Sequence, residues 1–107
     1  MARYIKFLAG VTVPKVVIIA GAAINAANQI NIGVDLFVTS GNDKVHSRGS
    51  KHYSDEALDF RTKNMKSADK HAFVKELKRR LGRHYDVILE DEGGNNEHCH
   101  AEYDEKP

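Results

Sequence analysis

Residues 16–31 and 67–81 both carry apolar side chains at helical spacing, and a glycine follows each segment, Gly33 and Gly82. Between and after them the chain holds only short β-rich runs: Asp35–Ser40, Glu56–Arg61, Tyr85–Glu90 and His98–Tyr103. Strands this short need cover on one face, and two amphipathic helices supply it. The order therefore predicts an α+β domain, two helices packed against a small, mostly antiparallel sheet. Thr12 is the expected N-cap of the first helix with Pro14 in its first turn, and Ser67 the expected N-cap of the second. In the first helix Val17, Ile18, Ala22, Ile24, Ala27 and Ile30 form the expected apolar face. Arg3–Leu8 reads as a short edge strand or extended arm, and the last four residues as a loose tail.

At 107 residues the chain has the length of one domain, 1–107, with no linker or internal repeat. Lys and Arg total 16 against 15 for Asp and Glu, so there is no broad electrostatic pull toward nucleic acid or an anionic membrane. The apolar run Val16–Ile24 is well short of the ~20 residues a membrane span needs, so no membrane insertion is expected. It also continues into a helical pattern instead of a cleavage site, which reads against a signal peptide. One cysteine, Cys99, rules out a disulfide within the chain and reads as a small buried residue.

The chemistry concentrates in two segments, Ser50–Asp59 and Glu97–His100, each joining histidine to carboxylate near a strand end. A catalytic zinc takes three nitrogen or oxygen ligands and keeps a fourth position for water; His52, Asp59 and His100 match that number and type. His52 and Asp59 lie an odd number of residues apart, so the residues between them must turn or bulge for both to reach one site. His98 and His100 project to one face of their strand and Cys99 to the other. Glu97 stands at the turn end, where alternation is less strict, and is the candidate general base. His46, His71 and His84 read as surface residues. The basic stretch 75–83 reads as a solvated helix face, and Asp91 and Glu92 as turn solubilisers.

These residues resemble the zinc D-Ala-D-Ala carboxypeptidases and L-alanyl-D-glutamate endopeptidases, a family that includes phage endolysins and is related in fold to the hedgehog signalling domain. The family pattern Ser-x-His-x-x-Gly-x-Ala-x-Asp matches Ser50, His52, Ala57 and Asp59 in register, with Asp55 where the family has glycine. Its second pattern, an acidic residue three before a histidine ligand, matches Glu97 and His100, and the His-x-His form of its relatives matches His98 and His100. The resemblance covers roughly residues 38–103 and implies a hedgehog/DD-peptidase-like fold. It implies zinc on His52, Asp59 and His100, with Glu97 moving the proton and His98 steadying the oxyanion or the water. Arg48 and Arg61 flank the first motif as candidates for a substrate carboxylate.

The function so implied is hydrolysis of an amide bond in peptidoglycan stem or cross-link peptides, as an endolysin of phage or prophage origin held in the cytoplasm until lysis. Two other classes stay open: a non-catalytic zinc-containing module that binds cell wall, and a phage structural protein in which the histidine cluster ties strands together. A histidine taken singly is more often an ordinary polar residue than a ligand; the paired motifs carry the metal reading.

Overall fold

The computed structural model describes residues 7–41 and 55–107. Helix α1 spans Lys15–Ile30 and α2 spans Ser67–Leu81. The strands are β1 (Val38–Ser40), β2 (Ala57–Arg61), β3 (Tyr85–Glu90) and β4 (His98–Tyr103). They form one antiparallel sheet in the order β1-β2-β4-β3. This is the α+β arrangement that the sequence predicts.

Both helices lie on one face of the sheet. Ile19, Ala23, Ala26 and Ala27 of α1 and Phe73, Val74 and Leu77 of α2 meet Leu58, Phe60, Val87, Cys99 and Ala101 from the strands. Phe60 and Phe73 join the layers edge to face, ring centroids 6.0 Å apart. The buried stripe of α1 keeps part of the expected one, with Ala27 buried and Ala22 and Ile30 packed against the core, but it centres on Ile19, Ala23 and Ala26, and Val17 and Ile24 face outward. Nearly every residue from Val16 to Ile24 is apolar, so hydrophobicity alone does not select a face. The alanines settle it, because their small side chains let helix and sheet approach closely.

The helix ends differ from expectation in a consistent way. Pro14, not Thr12, occupies the N-cap of α1, and Lys66, not Ser67, that of α2; neither makes a side-chain capping bond. α1 stops at Asn31 in the left-handed conformation, φ 55° and ψ 59°, two residues before the glycine expected to end it. Asparagine adopts this conformation more readily than most residues, and its N–H reaches back to Asn28. Gly82 closes α2 as expected.

Arg3–Lys6 of the expected N-terminal arm lies outside the described residues, and its last two residues, Phe7 and Leu8, are not in a strand. The C-terminal tail is not loose. Asp104 N–H donates to the His84 carbonyl at 2.7 Å, and Lys106 N–H donates to His84 Nδ1 at 2.9 Å. The Lys106 ammonium reaches Asp86 at 3.1 Å, and the Arg83 guanidinium donates to the Pro107 carbonyl. Among the described residues, no helix is long and apolar enough to cross a membrane.

Candidate metal centre

Antiparallel register brings the two motifs together. Asp59 of β2 stands directly opposite His100 of β4, Arg61 opposite His98, and Ile88 of β3 opposite His100. Residues directly opposite share a face, and alternate residues of a strand share a face. Asp59, Arg61, His98, His100 and Glu102 therefore stand on the sheet face away from the helices, together with Asp86, Ile88 and Glu90. Phe60, Cys99 and Ala101 point into the core.

The side chains meet as the backbone predicts. His100 Nδ1 lies 2.7 Å from Asp59 Oδ1, although the two residues are 41 apart in sequence. The other ring nitrogen, Nε2, lies 2.8 Å from Glu102 Oε1. Two carboxylates thus clamp one imidazole. The bond to Asp59 is the main reason that the His100 pKa rises to about 9; partial burial opposes it and Glu102 adds to it. His98 Nε2 is 3.9 Å from the same Asp59 oxygen and 3.6 Å from Glu90 Oε1.

Asp59 and His100 offer two ligand atoms of the kind zinc takes. Two ligand atoms on a tetrahedral zinc, each ~2.0–2.1 Å from the ion, stand roughly 3.3 Å apart. The 2.7 Å contact between Asp59 and His100 needs to open by about half an ångström to admit one. Glu102 would then accept the remaining N–H of His100, the carboxylate–histidine pairing that fixes ring orientation in metal sites. His52, the third expected ligand, and Arg48 lie outside the described residues. Arg61 sits on the same face, its guanidinium 4.6 Å from the centre of the Phe37 ring.

Asp55, which stands at the family's glycine position, has φ 56°. The left-handed conformation that a glycine adopts freely is therefore present here, and aspartate tolerates it better than most residues. The Asp55 carbonyl accepts the Val16 N–H at 3.2 Å, which ties the motif's turn to the start of α1.

Glu97 is not where the sequence reading put it. Strand alternation holds through the turn end, so its side chain follows Cys99 toward the helices instead of leaning over Asp59 and His100. There it is buried. The Lys70 ammonium donates to it at 2.7 Å, the Thr62 hydroxyl at 2.5 Å and the Gly93 N–H at 3.0 Å. Lys70 first and Thr62 second hold its carboxyl down at about 2, against the opposing effect of burial. Held like this, the carboxylate is a poor proton acceptor.

Among the described residues the group of three that can hold a metal ion is a different one: Asp86, Glu102 and Asp104 each place a carboxylate oxygen within 4.8 Å of the others. The Lys106 ammonium lies 3.1 Å from Asp86 and 3.4 Å from Asp104, so a cation already balances part of this charge.

The sequence reading overlooked Glu102, Lys70 and Thr62. The spacing of His100 and Glu102, two apart on a strand, was a usable signal for the first. Nothing local pointed to the other two, which lie on other elements and meet Glu97 only through the fold. Comparisons of the chain with protein-family models, curated proteins and solved structures give no match. The family resemblance therefore rests on the spaced motifs alone.

Proposed function

We propose that the chain is a zinc-dependent peptidase that hydrolyses an amide bond in peptidoglycan peptides, acting as an endolysin of phage or prophage origin. The observation that carries this reading is the meeting of Asp59 and His100, one from each motif, side by side on the sheet face away from the helices.

In this reading His52, Asp59 and His100 hold the ion, and Glu102 fixes the His100 ring. Zinc, when bound, polarises a carbonyl and acidifies a water. His98, already on the metal face, steadies the oxyanion and relays the proton to the leaving amine. Glu97, held by Lys70 and Thr62, anchors the hairpin to α2. Arg61, with Arg48, binds a carboxylate of the wall peptide.

A second reading, a zinc-containing module that binds wall peptide without cutting it, is favoured by the ion pair that occupies Glu97. Incubating the zinc-loaded protein with purified cell walls separates the two. A peptidase releases new amino ends, and the release stops with a chelator, returns with zinc and is absent in His100→Ala. Binding to walls with one zinc per chain and no released ends refutes the peptidase and leaves the binding module.

A further inference from the structure

The outer edge of β3 is a feature that the metal reading does not use. The His84 carbonyl accepts from Asp104 N–H, which fixes the side of β3 that bonds to β4. The same register pairs Asp86 with Glu102, Ile88 with His100 and Glu90 with His98. The even-numbered residues of β3 therefore spend their backbone groups on β4, and the N–H and C=O of Val87 and Leu89 point away from the sheet. Among the described residues no strand lies beyond β3 to receive them. Tyr85 N–H, the other outward donor, turns back to Gly82.

A groove of about 790 Å³ runs along this edge, with Lys78 and Arg79 of α2 on one side and Asp86, Ile88 and Glu102 on the other. Its two walls differ in charge, with Asp86 already paired to Lys106 and Arg79 to Glu76, so Glu90 and Lys78 carry most of the contrast. Alternation puts Asp86, Ile88 and Glu90 on the sheet's open face, with Ile88 52% exposed between two carboxylates. The basic residues Lys78 and Arg79 stand on the helix side.

We infer that the free edge of β3 takes up an extended peptide segment of a protein partner as an added strand. The segment carries basic residues flanking an apolar one on the open face and acidic residues facing α2. Its backbone bonds to Val87 and Leu89, and its apolar side chain covers Ile88. A second copy of this chain is a poor occupant: antiparallel self-pairing of β3 about Ile88 sets Asp86 against Glu90 of the other copy at both ends, and like charges directly opposite destabilise a sheet. This inference rests on the sheet edge and stands or falls apart from the zinc reading.

The test uses the full chain and two synthetic ten-residue peptides. One has Lys-x-Val-x-Lys on one face and Glu between; the other has every charge reversed. The first is expected to bind at least tenfold more tightly and to slow hydrogen exchange at the Val87 and Leu89 amides, and N-methylation of its alternate amides abolishes both effects. Ile88→Lys, on an exposed side chain, is expected to weaken binding about tenfold without changing Tm. Leu89→Pro removes an outward N–H and no bond to β4, and is expected to have a similar effect on binding. Three results overturn the inference: equal binding of the two peptides or none, Val87 and Leu89 amides already protected in the free monomer, or protection that rises with protein concentration as self-pairing requires.

Discussion

Replacing Glu97 with glutamine removes the charge that Lys70, Thr62 and Gly93 converge on, and the size of the effect follows from the carboxyl's pKa. A shift from 4.5 to about 2 corresponds to about 3 kcal/mol of preferential stabilisation of the charged form in the folded chain. Lys70 keeps 13% side-chain exposure, so solvent screens part of this, and about 2 kcal/mol is the expected loss in Glu97→Gln. For a chain of this length that lowers Tm by roughly 10 °C. The pH dependence has a definite sign. A depressed carboxyl stabilises the fold fully above its unfolded value of 4.5 and loses that contribution as pH falls toward about 2. Urea denaturation followed by circular dichroism, on wild type and variant between pH 2 and 7, measures the difference. It is expected to be flat above about pH 5 and to shrink toward zero near pH 2. A double-mutant cycle with Lys70→Met is expected to return a coupling of at least about 1 kcal/mol. A wild-type advantage that persists unchanged to pH 2, or a Glu97→Gln chain as stable as wild type, refutes the reasoning.

Three further outcomes follow from the same geometry. Asp55→Gly relieves a non-glycine residue at φ 56° and is expected to stabilise the chain by about 0.5–1 kcal/mol, less what the freer unfolded chain takes back; thermal melts check it. Because Asp59 and Glu102 raise the His100 pKa to about 9, a metal must displace its proton. Zinc affinity measured with a competing chelator should fall about tenfold per pH unit below 9, and Glu102→Gln should weaken it a further ~10–100-fold while flattening that dependence. Burial pushes the Cys99 thiol up to about 12, so a thiol reagent at pH 8 should label the folded chain at a negligible rate and the urea-unfolded chain rapidly.

The parts of this molecule legible in the sequence are those with a period. Alternation put His98 and His100 on one face and Cys99 on the other, and Ala57 and Asp59 opposite Leu58 and Phe60. The hairpin strands on both sides of Asp91 have the expected bounds, and the second helix ends at Leu81 as expected while starting one residue early, at Ser67. Where the period was silent, the reading failed. α1 is apolar nearly all round, so its buried face was set by alanine size and not by hydrophobicity. Its end was set by an asparagine willing to go left-handed before the glycine arrived. Glu97 was read by its distance from His100 along the chain, but its direction was decided by Lys70 and Thr62, partners that only the packed fold brings near. His52 and Arg48, on which the metal and substrate readings also depend, fall outside the described residues.

The central claim is that one zinc ion is held by two imidazoles and a carboxylate drawn from separate motifs. Metal analysis of the purified chain by plasma emission, alongside His52→Ala, Asp59→Ala and His100→Ala, tests it most directly. The expected result is about one zinc per wild-type chain and a loss of bound zinc in each variant that keeps its fold by circular dichroism. A folded wild-type chain that takes up no zinc, or variants that all retain it, contradicts the account.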